Sequence, residues 1–230
     1  RLHRTFCAIP RGLSPTILYR DALLVAIDKP SGLLVHRGWG DDEVVAMTLV
    51  RDAIGQWVYP IHRLDRGTSG VLLFALDSGT ASQLGEQFAA HRIEKTYLAL
   101  VRGVPAEEQW IDHPIPRAED GPRVPARTHV RRLFSAGRYS FVEAKPESGR
   151  LHQVRRHLKH ISHPIIGDVR YGKGEHNRLF RTEHGLHRIA LHAAELCFTH
   201  PASGERMKLE APLPPDLRGP LEHWGLPPQP

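Results

Sequence analysis

The sequence HRLDRGTSG occupies residues 62–70 and is followed directly by the apolar run VLLFAL at residues 71–76. The run has no polar position and is too short for a helix, so it predicts a strand buried on both faces. In the polar segment before it, Asp65 stands between Arg63 and Arg66, and these neighbouring cations favour an ionised carboxylate. An ionised Asp suits a nucleophile better than a proton donor. For this segment alone, an ion pair that merely orders a loop is the simpler interpretation.

Shorter patterns on either side of this strand predict further strands and helices. Tight turns between the strands favour antiparallel pairs, so we predict an α+β fold with a mixed, mainly antiparallel β-sheet core flanked by helices. Stretches rich in Pro, Gly and charge predict loops at residues 105–127 and 168–185. The predicted strands are residues 22–27, 96–101, 139–144 and 189–199, and the predicted helices are residues 44–54, a segment capped by Ser78, and residues 151–161 before Pro164.

The composition is that of a globular protein rather than a disordered or membrane-spanning one. The chain has 230 residues, of which 40% are hydrophobic and 24% charged, and no apolar run approaches the ~20 residues of a membrane span. Two cysteines cannot form a disulfide framework and suggest a reducing compartment, so we expect a cytoplasmic protein. We expect one domain at residues 17–211, with an N-terminal tail at residues 1–16 and a Pro-rich C-terminal tail at residues 212–230.

The net charge of +6 is concentrated in one part of the chain. Residues 117–188 carry 16 basic and 7 acidic side chains, whereas residues 1–115 carry 12 basic and 13 acidic ones. Most of the basic residues are Arg, whose planar guanidinium binds phosphate in a bidentate manner and stacks on bases. The pattern indicates nucleic-acid binding, although a genome rich in G and C would also raise the Arg content.

Five segments in order along the chain resemble the motifs of the RluA-type pseudouridine synthases, which convert uridine in RNA to its C-glycosidic isomer without a cofactor. Together they span most of the sequence, and chance agreement on all of them is negligible. The resemblance implies the catalytic fold of these enzymes, an RNA substrate and no cofactor. The segments are DKPSGLLVH at residues 28–36, HRLDRGTSG at 62–70, KTY at 95–97, GRLHQVRRHL at 149–158 and HPIIGD at 163–168.

Two further segments narrow the resemblance to a branch that modifies tRNA in its acceptor-stem region. They are HRGW at residues 36–39 and LHRIALHAAELCFTHP at residues 186–201. Gly67 and Leu151 depart from the residues usual in the family, and both are expected near the substrate. An enzyme of the same chemistry acting on ribosomal RNA therefore stays open as the alternative.

The resemblance assigns roles to individual residues. Asp65 is the essential carboxylate that acts at C1′ of the target ribose, either by forming a covalent adduct or by removing a sugar proton. Arg155 pairs with Asp65, and Tyr97 stacks on the uracil and is a candidate to accept the C5 proton. Arg63 enters the space that the flipped nucleotide leaves. Further RNA contacts are expected from His62, Arg66, Lys29, Arg150, His152 and Gln153, of which Lys29 and Arg150 suit a structural ion pair equally well.

Two other classes of function compete with this one. The 16 histidines raise the possibility of a metal site, but no HExxH motif and no Cys pair accompanies them, and Pro164 interrupts the helix beside His163. We therefore expect no metal. A non-catalytic RNA-binding module would be expected to lack Asp65, Tyr97 or Arg155, and the sequence retains all three. We expect a monomer that binds RNA and no membrane.

Overall fold

The computed structural model describes residues 14–37, 44–117 and 121–227. Its described part contains twelve strands and five helices. The strands are β1 (Thr16–Arg20), β2 (Leu24–Lys29), β3 (Tyr59–Pro60), β4 (Ser69–Ala75), β5 (Glu94–Arg102), β6 (Glu108–Asp112), β7 (Ile115–Pro116), β8 (Arg123–Val124), β9 (Arg127–Ala136), β10 (Tyr139–Pro146), β11 (Leu191–Thr199) and β12 (Arg206–Glu210). The helices are α1 (Ala46–Ile54), α2 (Ser78–Ala89), α3 (Gln153–His160), α4 (Gly174–His184) and α5 (Pro215–Trp224).

Ten of the described strands form one mixed sheet, whose main path runs β1-β2-β4-β11-β5-β10-β9-β6. Strand β12 pairs with β11 and β3 pairs with β4, while β7 and β8 form a separate hairpin. Within the described part, the one parallel pair is β4 with β11, and the others are antiparallel. The predicted fold class is therefore confirmed.

Strand β4 is the apolar run of the decisive segment, and all seven of its residues are buried, as the sequence predicts. Gly70, near its start, has a φ of 116°, and a Cβ atom there would lie 2.1 Å from the carbonyl oxygen of Ala193 in β11. Only glycine permits this backbone approach. The polar loop of residues 62–68 therefore ends on a strand fixed in the middle of the sheet.

Apolar side chains fill three clusters around this sheet. One lies under α1 and contains Leu64 together with residues of β2 and β4. A second involves α2 and β12, and the third gathers residues of β5, β10, α3, α4 and α5. Tyr97 packs against both the α1 cluster and the α3–α5 cluster. The β5 tyrosine therefore stands where two halves of the core meet.

Three segments have more regular structure than the sequence predicts. The predicted loop of residues 105–127 contains β6 and the β7–β8 hairpin, and the predicted loop of residues 168–185 contains α4. Helix α4 was missed because it buries little more than Phe180 and His176 and lacks an apolar repeat. Helix α5 lies within the predicted C-terminal tail, and its Leu217 and Leu221 are buried in the core. This part of the predicted tail therefore packs on the domain.

Smaller differences concern the ends of elements. Helix α2 is capped by Asp77 rather than Ser78, because the Asp77 side chain accepts a hydrogen bond from the backbone N–H of Thr80 at 2.8 Å. The predicted tail at residues 1–16 and the HRGW segment fall largely or partly outside the described residues. None of the helices in the described part is long and apolar enough to cross a membrane.

Candidate active site

The loop that carries Asp65 is held in place by the turn that follows β2. The backbone N–H of Gly32 donates to the carbonyl of Arg66 at 2.8 Å, and the Ser31 hydroxyl donates to the carbonyl of Gly67 at 2.8 Å. The ammonium of Lys29 donates to the same Arg66 carbonyl at 3.3 Å. Two motifs that are separate in sequence thus form one rigid unit, and the side chain of Asp65 retains 29% exposure.

Arg155 links Asp65 to a second carboxylate. Its Nη1 donates to Oδ2 of Asp65 at 2.7 Å. Its Nε and Nη2 donate to the two oxygens of Asp168 at 2.7 and 2.9 Å. This bidentate arrangement fixes the plane of the guanidinium. The side chain of Asp168 is fully buried, so Arg155 is held from behind while its remaining edge faces Asp65.

Electrostatics keep Arg155 and Asp168 charged. Burial acts to lower the pKa of Arg155, but the bonds to Asp168 and Asp65 outweigh it and raise that pKa. Burial likewise acts to raise the pKa of Asp168, yet Arg155 and the backbone N–H groups of Tyr171 and Arg170 lower it overall. A charged guanidinium therefore lies 2.7 Å from the Asp65 carboxylate and orients it.

His152 approaches the same carboxylate from the start of α3. Its Nε2 lies 3.7 Å from Oδ2 of Asp65, and its Nδ1 lies 3.0 Å from the hydroxyl of Tyr171. Burial lowers the pKa of His152 despite the opposing charge of Asp65, so the ring is mainly neutral at neutral pH. His152 has a left-handed backbone with a φ of 54°. Such strain in a non-glycine residue is common at functional sites.

Tyr97 and Lys95 reach the site from strand β5. Burial, with a contribution from the charge of Asp65, raises the pKa of the Tyr97 hydroxyl. The phenol is therefore neutral at neutral pH, which suits stacking on a base better than accepting a proton. The ammonium of Lys95 donates to the carbonyl of Ser148 at 3.0 Å, and burial lowers its pKa to about 8.

These side chains line an open cavity of about 90 Å³. Its walls come from the Asp65 loop, β5, the end of β10 and the start of α3. These elements are distant in sequence and are brought together by the sheet. An exposed carboxylate, a neutral aromatic ring and several cations at one opening suit a polar, anionic substrate with a planar group. The polar residues that line it include Arg63, Asp65, Lys95, Tyr97, Arg150, His152, Gln153 and Arg155.

The structure turns three of the predicted RNA contacts toward the protein. Lys29 is fully buried, donates to the carbonyls of Pro30 and Leu33, and has its pKa lowered to about 7 by burial. His62 accepts a hydrogen bond from the backbone N–H of Leu73 at 3.1 Å.

His62 also stacks on Phe88 with ring centroids 5.4 Å apart, and burial lowers its pKa to about 3. Gln153 lies at the cavity, but its amide is used internally. Its oxygen accepts from the Ser148 hydroxyl at 2.7 Å, and its nitrogen donates to the carbonyl of Arg127 at 2.9 Å. Lys29, His62 and Gln153 therefore position the loops rather than face a ligand.

Of the four remaining predicted RNA contacts, three line the cavity and one does not. Arg63, Arg150 and His152 line the cavity, and the buried Nε of Arg150 has no hydrogen-bond partner within the described part of the structure. Arg66 does not line the cavity, and it contributes the carbonyl that Lys29 and Gly32 bind.

Sequence reasoning assigned no role to three residues that shape the site, namely Lys95, Asp168 and Tyr171. Lys95 and Asp168 stand inside the motifs KTY and HPIIGD, so the motifs were a signal that could have identified them. Tyr171 carries no such signal. Its hydroxyl contacts His152 and accepts from Nε of Arg156 at 2.9 Å.

The sequence clusters four histidines that could suggest a metal site, and each has another partner in the structure; they are His152, His157, His160 and His163. His157 lies 2.7 Å from the Thr128 hydroxyl and donates to the carbonyl of His113, and His163 donates to the carbonyl of Arg102. Among the residues that the structure describes, no three His, Cys, Asp or Glu side chains form a group that could hold a metal ion.

Comparison with known proteins places this geometry in context. Residues 23–160 match the protein family described as RNA pseudouridylate synthase. The tRNA pseudouridine synthase C of Pectobacterium carotovorum subsp. carotovorum is 44% identical, over 91% of this chain and 62% of that relative. The tRNA pseudouridine synthase C of Vibrio cholerae is 43% identical, over 91% of this chain and 95% of that relative. The chain thus spans less than two thirds of the first relative and nearly all of the second.

Two solved human structures are similar as well. Human RNA Pseudouridylate Synthase Domain Containing 4 has a TM-score of 0.75 at 28% identity, covering 90% of this chain and 92% of that one. Human RNA Pseudouridylate Synthase Domain Containing 1 has a TM-score of 0.71 at 26% identity, covering 91% and 89%. The similarity in three dimensions thus covers about nine tenths of the chain.

Proposed function

Because this chain belongs to the RNA pseudouridylate synthase family, we propose that it isomerises a uridine of tRNA to pseudouridine at the cavity built around Asp65. The observation that carries the proposal is the 2.7 Å hydrogen bond between Arg155 and Asp65 at the opening of that cavity. It supports a carboxylate that is oriented by a cation and still accessible to a ligand. The names of the relatives from Pectobacterium and Vibrio support tRNA as the substrate.

The proposed reaction rearranges atoms within one nucleotide. The glycosidic bond from C1′ to N1 breaks, the uracil turns, and a new bond joins C1′ to C5. The hydrogen on C5 leaves as a proton and N1 gains one, so substrate and product have the same composition and no co-reactant is needed. No external water attacks, so a single carboxylate suffices where glycoside hydrolysis uses two.

Asp65 is the residue proposed to act at C1′. Forming a covalent adduct and removing a sugar proton both require the ionised carboxylate that Arg155 stabilises, and the geometry is compatible with either route. Arg155 is proposed to hold one oxygen of Asp65 and leave the other directed to the ribose. Asp168 then serves as a positioning residue that keeps the guanidinium in plane.

A uridine within a stem must leave the base stack before a side chain can reach C1′, which costs a few kcal/mol. We propose that Tyr97 stacks on the extruded uracil and that Arg63, exposed at the rim, fills the vacated space. Stacking on an aromatic ring contributes about 1–3 kcal/mol per base and offsets part of that cost. Arg150 and His152 are the proposed contacts to the flanking phosphate or ribose groups.

The finer assignment is to the acceptor-stem region of tRNA, in a cytoplasmic enzyme that acts as a monomer. The acceptor-stem assignment rests on the resemblance of residues 36–39 and 186–201 to the tRNA-modifying branch, and the cytoplasmic location rests on the presence of only two cysteines. We propose that residues 17–211 form the catalytic domain, with helix α5 packed on it.

The decisive experiment deletes the gene in its own organism and maps pseudouridines in total RNA. Loss of one pseudouridine in the acceptor-stem region of tRNA, restored by the gene but not by its Asp65→Asn form, is the expected result. Loss confined to ribosomal RNA would overturn the tRNA assignment and favour the ribosomal alternative. An unchanged pseudouridine map, with no activity of the purified protein on any RNA, would overturn the proposed function as a whole.

A further inference from the structure

A second cavity lies beside the first and has no part in the chemistry proposed above. It has a volume of about 260 Å³, and we call it the α4 cavity after the helix that supplies two of its arginines. Arg178 and Arg181 are three positions apart, so both lie on one face of α4. The α4 cavity is lined by Asp168, Val169, Gly172, Gly174, Asn177, Arg178 and Arg181.

The two cavities adjoin across one ion pair. Asp168 lines the α4 cavity and Arg155 lines the cavity of Asp65, and these two side chains bond each other at 2.7 and 2.9 Å. Asn177 fixes α4 to the same loop, since its amide accepts from the N–H of Gly167 at 2.8 Å and donates to the carbonyl of Asp168 at 3.0 Å. Helix α4, which carries both arginines, is therefore anchored to the loop that contains Asp168.

The cations near the α4 cavity differ from several on the sheet in that they form no ion pair within the described residues. In the part of the chain that the structure describes, the exposed side chains of Lys159, Lys173, Arg178 and Arg181 form no ion pair. Several basic side chains on β9, β10 and β12 instead lie in ion pairs with nearby carboxylates. These pairs are Arg131–Glu143, Lys145–Glu143, Arg206–Glu94 and Lys208–Glu195. Four cations near α3 and α4 are therefore available to a polyanion.

Two acidic residues also lie on α4, and within the described part of the structure neither forms an ion pair with Arg178 or Arg181. The carboxylate of Asp168 is already bonded to Arg155. Glu175 on α4 contacts His176, and Glu183 accepts from the Thr182 hydroxyl. Val169 at the rim is 82% exposed and offers an apolar surface to a ribose or a base. Exposed arginines beside an apolar side chain suit a nucleic-acid strand better than a small inorganic anion.

We propose that the α4 cavity binds phosphodiester groups of the substrate RNA strand that flanks the target nucleotide, with Arg178 and Arg181 as the binding side chains. The inference rests on the proposed function and deepens it, because it gives the direction in which the strand leaves the active site. The strand passes from the cavity of Asp65 over the Arg155–Asp168 pair to α4.

The test compares the double variant Arg178→Gln/Arg181→Gln with the control Arg206→Gln/Lys208→Gln, which removes the same charge from paired positions on β12. Dissociation constants for an unmodified tRNA transcript are measured at several salt concentrations. Each lost phosphate contact lowers the slope of log Kd against log salt by about 1. We expect the α4 variant to lower it by about 2 and to bind roughly tenfold more weakly near 0.15 M salt. The control should behave as the wild type.

A third variant, Arg178→Lys/Arg181→Lys, separates charge from shape. It should recover most of the salt dependence, because lysine also neutralises a phosphate. If wild-type protein binds and isomerises tRNA while the Gln variant has the slope and Kd of the control, the inference about the α4 cavity is wrong and the proposed function stands. If wild-type protein neither binds nor isomerises tRNA, both are wrong.

Discussion

Nη1 of Arg155 lies 2.7 Å from Oδ2 of Asp65, although 90 residues separate the two along the chain. One residue comes from the loop before β4 and the other from α3, and the far edge of the same guanidinium is bonded to Asp168. The carboxylate proposed to act on the ribose is thus held by a cation that is itself fixed in place. The activity of the enzyme should therefore depend on Asp65, on Arg155 and on the buried groups that support them.

Replacing Asp65 with Asn should abolish isomerisation while RNA binding persists. The amide keeps the shape of the side chain but cannot attack C1′ or accept a proton, so we expect a loss of at least about 10⁴-fold in kcat. Release of tritium from RNA labelled at C5 of uridine measures the reaction, and a filter-binding assay measures affinity. Asp112→Asn, at an exposed carboxylate near Arg127, is the matched control. Full activity of Asp65→Asn would refute the assignment of the active site.

Tyr97→Phe and Tyr97→Ala distinguish stacking from proton transfer. Because the Tyr97 phenol is neutral at neutral pH, we expect its ring rather than its hydroxyl to matter. Phe should keep activity within about tenfold, and Ala should lose the roughly 1–3 kcal/mol of a base stacked on an aromatic ring. Single-turnover rates on a tRNA transcript provide the measurement. A Phe variant as inactive as the Ala variant would show that the hydroxyl takes part in the chemistry.

Asp168→Asn should impair both stability and catalysis, although the Asp168 side chain is buried behind Arg155. Removing one charge of a buried pair typically costs about 3–5 kcal/mol, so we expect a lower free energy of unfolding in urea. Looser control of the Arg155 guanidinium should reduce kcat about 10- to 100-fold, in the range found for groups that support a site from behind. Asp52→Asn, at an exposed pair with Arg51, should leave Tm unchanged. An Asp168→Asn variant with wild-type kcat would remove Asp168 from the positioning role.

Lys29→Met tests whether this buried lysine holds the loops or contacts RNA. Its ammonium donates to the carbonyls of Pro30, Leu33 and Arg66. Leaving buried acceptors unpaired costs about 1–3 kcal/mol each, so the variant should unfold at a clearly lower temperature. The salt dependence of RNA binding by the folded variant should equal that of the wild type. A smaller slope of log Kd against log salt, with an unchanged Tm, would mean that Lys29 contacts RNA.

His192 makes the stability depend on pH in a defined window. Its Nε2 donates to the carbonyl of Ala211 at 3.0 Å and its Nδ1 accepts from the Ser69 hydroxyl at 2.8 Å, and burial lowers its pKa to about 4. An unfolded histidine has a pKa of about 6.5. Between these values the unfolded state binds more protons, so stability falls as the pH is lowered from 6.5 to 4.

The slope contributed by His192 should approach about 1.4 kcal/mol per pH unit within that window. Urea unfolding at several pH values should show a shallower dependence for His192→Gln than for the wild type, with the exposed His187→Gln as the control. If the stability of the wild type and of His192→Gln depended equally on pH, the pKa of His192 would be the same in the folded and the unfolded state.

Local sequence patterns were sufficient for the elements whose burial is continuous. Residues 71–76 contain no polar position, and a run of that length favours a strand covered on both faces, which β4 is. Patterns failed where few apolar side chains define an element. Helix α4 is held by Phe180, which packs at 4.7 Å between ring centroids against Tyr139, and no periodicity in residues 168–185 announces that contact.

The sequence by itself determined the family, the central strand and the candidate residues Asp65, Tyr97 and Arg155, because motifs and apolar runs are local properties of the chain. Only the tertiary structure decided which polar residues face the cavity. Lysine, histidine and glutamine can bind a phosphate or satisfy a backbone group equally well. The choice depends on which carbonyls and N–H groups the folded chain brings within about 3 Å. Lys29, His62 and Gln153 have internal partners, whereas within the described residues Arg178 and Arg181 have none.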